Sequence, residues 1–267
     1  MFTYLFKIGG NALSDAKDRE RFCSSVSKMI DAGSKVIIVH GGGPEINKAL
    51  EDKGIQPKKV NGIRITDKDT LDVVKTTLSS INGSLVRSMK KADVKALGVP
   101  GYVISLSKKK DPMDVDGEKV DLMFVGDVIS VDVDAIEGLF DYEITPVVYP
   151  IGADEDGRYL NINADSMASA VAAALKCDEM VQITDVPGIL MDVKDPSSKV
   201  DEMTLKDVDE LIAKGIISGG MIPKVEACRE ALDAGVARVR MINGKDESVI
   251  LSDIVHGSKD GTLIKKV

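Results

Sequence analysis

The sequence predicts an α/β sandwich, with helices on both faces of a mainly parallel central sheet. The apolar stretches "YLFKIGG" at residues 4–10 and "VIIVHGGG" at 36–43 are typical of strands that end at glycines. Between them, residues 18–33 place apolar side chains at helical spacing. Parallel strands need a crossover of this kind, and a strand that is apolar on both faces must be covered on both faces.

The next segments continue this alternation of helices and strands. Pro44 suits the first turn of a helix, and residues 67–97 keep apolar side chains at helical spacing. The stretch "SKKKDPMDVDGEK" at 107–119 is typical of a solvated loop. Residues 119–131 alternate apolar and polar side chains around Gly126, which predicts a β-hairpin with a turn or bulge.

The second half of the chain repeats the alternation without a visible sequence repeat or linker. Strands are predicted within 145–165, at 179–184 and at 236–243, and helices at 166–176, 204–215 and 222–235. We therefore expect two lobes of one sandwich, with a boundary near Lys176.

Length and composition indicate a globular protein with a substantial core. The chain has 267 residues, 43% of them apolar, and its net charge of −8 argues against a nucleic-acid or membrane surface as a partner. No segment approaches about eighteen consecutive apolar residues, and Lys7 interrupts the N-terminal apolar stretch where a signal peptide needs its apolar centre. Cys23, Cys177 and Cys228 lie far apart, which predicts buried thiols rather than a disulfide framework or a zinc site. We expect a cytoplasmic protein.

Three glycine-rich stretches are candidates for anion binding: "KIGGNA" at 7–12, "HGGGP" at 40–44 and "SGGMIPK" at 218–224. None matches a Walker A loop or a dinucleotide-binding fingerprint. A glycine loop between a strand and a helix nevertheless presents free backbone N–H groups and the positive end of the helix dipole, which together suit a phosphate. One such loop is explained by strand-to-helix packing alone, but three in one chain favour phosphoryl chemistry.

A set of motifs then gives a resemblance to a known family. The motifs "KIGGNAL", "VIIVHGGGP", "VNGIRIT", "LNINADSMA", "ITDVPGIL" and "GGMIPKVEA" resemble, in order and spacing, those of the amino acid kinase family, and within it the branch that phosphorylates N-acetylglutamate. The resemblance extends from about Leu5 to Thr262. It implies the amino acid kinase fold, a three-layer αβα sandwich with a central mainly parallel sheet. It also implies an N-terminal lobe, 1–175, for acceptor binding and dimerisation, and a C-terminal lobe, 176–267, for ATP binding.

The resemblance assigns the chemistry to Lys7, Lys224 and Asp165. Transfer of the γ-phosphoryl group of ATP to a carboxylate needs no general base, because the carboxylate is already nucleophilic. Positive groups and backbone donors should therefore act on the developing charge. Lys7 and Lys224 match the two catalytic lysines of the family, and Asp165 matches the acidic residue that holds both of them. Neither His40 nor His256 is needed, and His40 is interpreted as a turn residue.

The same resemblance assigns residues to each substrate. Those expected at the acceptor are Gly41, Gly42, Gly43, Arg64 and Asn161. Those expected at the nucleotide are Gly9, Gly10, Thr184, Asp185, Gly219 and Gly220. Arg64 matches the arginine that binds the α-carboxylate, for which its planar fork is suited. The loop glycines should donate N–H groups to the reacting groups, and a Cβ at Gly42 should obstruct them or strain the backbone. Magnesium is expected on the ATP phosphates and water rather than on dedicated carboxylates.

Departures from the family pattern leave the acceptor open. Residues 78–110 and the predicted hairpin at 119–131, which is the lid over the acceptor in the family, match the acetylglutamate branch loosely. The alternatives are a kinase for aminoadipate or glutamate linked to an amino-group carrier protein, and a non-catalytic nucleotide-binding regulator. "VNGIRIT" and "NINAD" favour free acetylglutamate, and an isopentenyl phosphate kinase would have a histidine shortly after the glycine triplet. Because only six residues precede Lys7, we expect a homodimer without the N-terminal extension of arginine-inhibited hexamers.

Overall fold

The structure is a computed structural model that describes residues 2–10, 12–13, 15–115, 117–245 and 259–266. Its strands are β1 (Thr3–Ile8), β2 (Lys35–His40), β3 (Lys59–Val60), β4 (Ile63–Arg64), β5 (Ala96–Pro100), β6 (Ser105–Lys109), β7 (Met113–Val115), β8 (Glu118–Val120), β9 (Val125–Val131), β10 (Thr145–Tyr149), β11 (Ile151–Ala153), β12 (Tyr159–Ile162), β13 (Glu179–Thr184), β14 (Glu202–Thr204), β15 (Arg238–Asn243) and β16 (Thr262–Lys265). Its α-helices are α1 (Ala16–Asp31), α2 (Gly43–Glu51), α3 (Lys68–Lys91), α4 (Gly101–Ile104), α5 (Val133–Asp141), α6 (Ala164–Ala174), α7 (Leu205–Ala213) and α8 (Ile222–Asp233). Two short 3₁₀ segments lie at Pro196–Ser198 and Gly219–Met221.

The main sheet has the strand order β14-β16-β15-β13-β1-β2-β10-β5 in the described part of the chain. β15 and β16 run antiparallel, and the other pairs in this order run parallel. A second sheet, β11-β12-β9-β6, lies beside it. Two hairpins, β3-β4 and β7-β8, complete the pairing among the described strands.

Helices cover both faces of the main sheet, which confirms the predicted three-layer sandwich. Alternate side chains of β1 enter different cores: Leu5 packs with residues of α6, α7 and α8, whereas Tyr4 and Phe6 pack with residues of α1 and α3. All three side chains are almost completely buried. Strands buried on both faces are typical of parallel sheets, and this explains the continuous apolar runs in the sequence. Within the described ranges, no helix is both long enough and apolar enough to cross a bilayer.

The helices begin at residues that can cap them. Asp15, Asp67 and Asn163 each accept a backbone N–H of the first turn of α1, α3 and α6, respectively. Gly42 caps α2 without a side chain, and Pro44 lies in the first turn of α2 as predicted. The N-terminus of α2 therefore has backbone N–H groups that donate no capping hydrogen bond to a side chain at Gly42.

The predicted helix at 67–97 ends earlier than expected. α3 stops at Lys91, and Asp93 adopts a positive φ of 59°, which an α-helix does not permit. The apolar residues that follow belong to β5. Helical spacing could not separate the end of α3 from the start of this strand.

The region 107–131 also differs from its prediction. The expected solvated loop at 107–119 contains the end of β6 and all of β7, and β8 pairs with β7. β9 pairs instead with β6 and β12, so residues 119–131 do not form a hairpin of their own. Gly126 lies inside β9, where a Cβ would be 2.8 Å from the carbonyl oxygen of Lys108 and 2.7 Å from the side chain of Leu160. Its role is close strand packing rather than a turn.

Candidate active site

A cleft of about 390 Å³ opens at the carboxyl ends of β1 and β2. Ligands bind at this end of the strands in open parallel sheets. Nine of the residues predicted from the sequence line it: Lys7, Gly9, Gly10, Gly41, Gly42, Gly43, Arg64, Asn161 and Asp165. The other five predicted residues do not line this cleft: Lys224, Thr184, Asp185, Gly219 and Gly220. The structure thus groups Gly9 and Gly10, expected at the nucleotide, with the residues expected at the acceptor.

Lys7 pairs with Asp165 in the cleft. Nζ of Lys7 lies 2.7 Å from Oδ1 of Asp165, and the two side chains are 12% and 28% exposed. Asn163 fixes the start of α6, because its side chain accepts the N–H of Asp165 at 2.7 Å. Gly9 follows Lys7 by two residues, and a Cβ at Gly9 would lie 2.7 Å from Nζ of Lys7. The missing side chain at Gly9 therefore leaves the space that the lysine ammonium occupies.

The glycine loops contain fewer free donors than the sequence predicts. Gly9 donates its N–H to the carbonyl of Ile183 at 3.1 Å, and Gly41 donates to the carbonyl of Ile8 at 3.0 Å. The expectation that these two N–H groups face the reacting groups is wrong, because neighbouring strands use them. Among the described glycines of the loops at 7–12 and 40–44 that line the cleft, those whose N–H groups have no hydrogen-bond partner are Gly10, Gly42 and Gly43.

Gly42 is required for a different reason from the one expected. Its φ is 177°, an extended value that any residue adopts, so the backbone is not strained there. A Cβ on this residue would overlap Cδ1 of Ile81 and lie 3.2 Å from Cδ2 of Leu78, both on α3. The space it would fill is thus the packing of α2 against α3 rather than the path of the acceptor. Gly43, by contrast, has no atom within 4 Å of the place of a Cβ.

Arg64 offers an unpaired cationic donor to the cleft. The residue is 7% exposed, and burial lowers the pKa of its guanidinium below the usual range. Its Nη2 donates to Oδ1 of Asn47 at 2.6 Å, whereas its buried Nη1 has no partner among the described residues. The Arg64 carbonyl accepts from Thr66 Oγ1 at 2.9 Å, and Thr66 Oγ1 accepts from Asn161 Nδ2 at 3.0 Å. A buried donor left free in a cleft suits an anionic ligand.

The histidines are not placed as catalysts. His40 is the last residue of β2 rather than part of a turn, it is 1% exposed, and it does not line the cleft. Burial lowers the pKa of its imidazole to about 4. His256 lies outside the described residues.

Lys224 has a different partner from Lys7. Its Nζ lies 2.5 Å from Oδ1 of Asp185, and this hydrogen bond lowers the pKa of the Asp185 carboxyl. The expectation that Asp165 holds both lysines is therefore not met in this conformation, because Asp185, just after β13, reaches Lys224 instead. The strands that carry the two pairs are adjacent, because Lys7 lies on β1, Asp185 follows β13, and β13 pairs with β1. Cys228, one turn after Lys224, has its pKa raised to about 12 by burial, with Asp165 and Lys7 acting on it electrostatically.

Thr184, Gly219 and Gly220, also expected at the nucleotide, differ in how far their groups are already used. Oγ1 of Thr184 is 3.2 Å from the carbonyls of Val186 and Ile242 and accepts the N–H of Val186 at 3.1 Å. Gly219 has a φ of +56°, a left-handed value that favours glycine, and begins the 3₁₀ segment before α8. Gly220 has open space at the place of a Cβ. The glycines thus keep the approach to α8 clear of side chains.

Comparison with known proteins decides the family. The sequence model of the Amino acid kinase family matches residues 3–243, which is most of the chain. The chain belongs to the amino acid kinase family. This amino acid kinase is 40% identical to an acetylglutamate kinase of Methanococcus maripaludis, over 98% of the chain and 91% of that protein. It is 39% identical to an acetylglutamate kinase of Methanocaldococcus jannaschii, over 98% of the chain and 90% of that protein.

A solved structure shows the same fold for this amino acid kinase. N-acetylglutamate synthase from Neisseria gonorrhoeae, complexed with coenzyme A and N-acetyl-glutamate, superimposes with a TM-score of 0.84. The alignment covers all of the present chain and 60% of the synthase, at 18% identity. At this identity the likeness describes the architecture alone, and it agrees with the three-layer arrangement of the sheet and helices.

Sequence reasoning missed three side chains that shape the cleft of this kinase: Asn47, Thr66 and Asn163. Asn163 had a usable signal, since an asparagine directly before a predicted helix is a preferred N-cap. Asn47 and Thr66 had none, because Asn47 bonds to the side chain of Arg64 and Thr66 to that of Asn161, and both of these come from other elements. Only the folded chain brings Asn47 on α2 to the guanidinium of Arg64 on β4.

Proposed function

We propose that this amino acid kinase transfers the γ-phosphoryl group of ATP to the side-chain carboxylate of N-acetyl-L-glutamate, a step of arginine biosynthesis. The similarity to curated acetylglutamate kinases over nearly the whole chain supports this assignment. In the reaction, a carboxylate oxygen forms a bond to the γ-phosphorus while the bond from that phosphorus to the bridging oxygen breaks. The electron pair of the broken bond leaves with ADP, so an acyl phosphate is formed without a general base.

The observation that best supports this function is the free Nη1 of Arg64. A buried guanidinium that has one nitrogen bound by Asn47 and another unpaired is suited to a carboxylate, which accepts hydrogen bonds without donating any. The same cleft contains Lys7 and two unpaired glycine N–H groups at the start of α2. Arg64 would bind the α-carboxylate, with Asn161 beside it, while the reacting carboxylate lies nearer Lys7.

The roles of the remaining residues follow from charge. Lys7 and Lys224 would stabilise the charge on the transferred phosphoryl group and the leaving oxygen. Asp165 would orient Lys7, and Asp185 would hold Lys224 until the phosphates of ATP compete for it. The acceptor would lie in the N-terminal lobe, 1–175, and ATP in the C-terminal lobe, 176–267, near Thr184 and the glycines before α8.

We propose that magnesium binds with ATP and is held by the phosphates and water. Asp165 is the carboxylate among the residues that line the cleft, and it is already paired with Lys7. Asp185, expected near ATP, is paired with Lys224, and the described residues contain no group of three or more His, Cys, Asp or Glu side chains that could hold a metal ion. Phosphate oxygens are the ligands that magnesium commonly uses in kinases.

We further propose a homodimer in the cytoplasm. β5 is the edge strand of the main sheet, and Leu97 on it is 46% exposed, as are Tyr102 and Val103 nearby at 37% and 56%. A second copy would cover this apolar edge. The cytoplasm agrees with ATP as a substrate and with three cysteines that remain buried free thiols. Light scattering of the purified protein tests the dimer.

A side-by-side assay tests the function. The enzyme is incubated with Mg·ATP, hydroxylamine and, separately, N-acetylglutamate, glutamate and carrier-linked aminoadipate, and the trapped hydroxamate is measured. We expect a hydroxamate with N-acetylglutamate and its loss in Lys7→Met. A product with the carrier-linked acceptor alone would instead assign the protein to the carrier-dependent kinases. ATP binding without any product would indicate a nucleotide-binding regulator.

A further inference from the structure

His40 lies at the junction between β2 and the first glycine of the triplet. The residue is 1% exposed, and its imidazole makes two polar contacts: Nδ1 is 2.9 Å from the carbonyl oxygen of Gly41, and Nε2 is 3.0 Å from Nδ2 of Asn82. Asn82 is 4% exposed on α3, and its Nδ2 also donates to the carbonyl of Val147 at 2.8 Å. The ring is therefore bonded on one side to Gly41, directly after β2, and on the other side to Asn82 of α3.

The partners fix the proton on the ring. A carbonyl oxygen only accepts hydrogen bonds, so Nδ1 must carry the proton that it donates to Gly41. Nε2 is then the acceptor, which agrees with the amide nitrogen of Asn82 as its donor. Both nitrogens are satisfied by a neutral imidazole, and burial, which lowers the pKa of His40 to about 4, keeps it neutral at physiological pH.

This arrangement sets the direction of one peptide group. The C=O of Gly41 and the N–H of Gly42 belong to the same planar trans peptide, in which they point in opposite directions. Holding the carbonyl of Gly41 toward the imidazole therefore turns the N–H of Gly42 away from it. Gly41 is also anchored at its other side, because its N–H donates to the carbonyl of Ile8. The N–H of Gly42 has no partner among the described residues, and Gly42 lines the cleft.

We propose that His40, held by Asn82, is a positioning residue that fixes the Gly41–Gly42 peptide so that the Gly42 N–H faces the phosphoryl group during transfer. The inference rests on the proposed kinase function and adds a residue to it that touches no substrate. A flipped peptide would present the carbonyl of Gly41 to the phosphoryl oxygens, replacing a donor by a repelling acceptor. Donors aimed at developing charge act best when their direction is fixed before the reaction.

Two conservative substitutions separate this role from simple packing. His40→Asn places an amide nitrogen at the δ position, where it can still donate to the carbonyl of Gly41. His40→Gln places the amide at the ε position, so the contact with Asn82 is kept and the donor to Gly41 is lost. Val36→Ala, in the buried opposite end of β2, is the control for stability alone.

We expect His40→Gln to lower kcat at least about 10-fold with little change in the KM for ATP, and His40→Asn to recover most of this loss. Equal losses of activity in His40→Gln and His40→Asn would contradict the positioning role if Val36→Ala shows the same loss of activity for the same fall in Tm. A wild-type enzyme that forms no hydroxamate with any acceptor would contradict the proposed function instead.

A spectroscopic measurement tests the geometry without turnover. In protein labelled with carbonyl-¹³C and ¹⁵N glycine, an HNCO spectrum selects peptides between consecutive glycines, which occur at 9–10, 41–42, 42–43 and 219–220. The Gly41–Gly42 signal should shift on addition of Mg·ATP in the wild type and in His40→Asn but not in His40→Gln. Ring ¹⁵N signals of His40 should show the Nδ1–H tautomer. An Nε2–H tautomer, or a Gly42 signal that ignores Mg·ATP in the wild type, would overturn the inference.

Discussion

The ammonium of Lys7 and the carboxylate of Asp165 lie 2.7 Å apart, although one residue is in the first strand and the other in the first turn of the sixth helix. The pair joins the centre of the sheet to the N-terminus of α6. Because Asp165 is itself held by the Asn163 cap, the position of the lysine is determined by the start of a helix. If Lys7 acts in the proposed transfer, a charge fixed in this way needs little rearrangement during the reaction.

Lys7→Met should lower kcat at least about 100-fold while the protein stays folded, since the methionine matches the lysine side chain as far as Cε and removes only the charged ammonium group. Lys224→Met should do the same. The matched control is Lys95→Met, which breaks an exposed ion pair with Glu143. Steady-state kinetics with circular dichroism on each variant check this. A folded Lys7→Met enzyme with near-normal turnover would contradict the mechanism.

Arg64→Lys should raise the KM for the acceptor about 10-fold or more and leave the KM for ATP nearly unchanged. The lysine keeps a positive charge but cannot bond to Asn47 and to a carboxylate with a planar fork. Asn47→Ala should raise the same KM by a smaller factor, because it frees the guanidinium without removing it. Initial rates at varied acceptor and ATP separate the two constants. An unchanged acceptor KM in Arg64→Lys would mean that another residue binds this carboxylate.

Gly42→Ala should destabilise the protein by about 1–3 kcal/mol, because the added methyl group overlaps Cδ1 of Ile81. Adding Ile81→Val, which removes that carbon, should recover part of the loss. Gly43→Ala is the control, since nothing lies within 4 Å of its Cβ position. Thermal unfolding of the three variants measures this. Equal Tm values for Gly42→Ala with and without Ile81→Val would show that the packing of α2 on α3 is not the cause.

His40 should make the protein less stable as the solution becomes acidic. Its pKa is lowered from 6.5 to about 4 in the folded state, so between these values the unfolded chain binds the proton and the folded chain does not. The hydrogen bonds of the neutral imidazole to Gly41 and Asn82 therefore contribute fully to stability above pH 6.5, and this contribution is lost as the pH falls toward 4. Urea unfolding gives the free energy of unfolding of wild type and of His40→Asn. The wild-type value minus the variant value should fall by about 2 kcal/mol from pH 7 to pH 5. A constant difference would mean that His40 titrates normally.

The sequence predicts the fold class and most of the strands and helices, because apolar periodicity is local, and its motifs include Lys7, Arg64 and Asp165, which line the cleft. It fails where a partner comes from a distant strand. The N–H of Gly9 is taken by Ile183, and no pattern near residue 9 could reveal this. Likewise, the sequence suggests that β8 and β9 form the two strands of one hairpin. In the structure β8 pairs with β7, and β9 pairs with β6.

The lysine pairs illustrate the same limit. The motifs identify Lys7, Lys224 and Asp165 as a group, and the structure confirms contact between the first and the last. The partner of Lys224 depends on how α8 lies against the end of β13, which is a matter of tertiary packing. Asp185 was predicted for the nucleotide, and its pairing with Lys224 became visible only in three dimensions.

The empty position on Gly9 limits which residues can stand at this position. A Cβ there would lie 2.7 Å from the ammonium of Lys7, so residue 9 determines where the charge of residue 7 can reside. Any side chain at position 9 would require the ammonium of Lys7 to shift from its present position, whichever rotamer the new side chain adopts, since the contact begins at the first carbon. The two positions are therefore coupled: a Cβ at residue 9 and the present position of the Lys7 ammonium exclude each other.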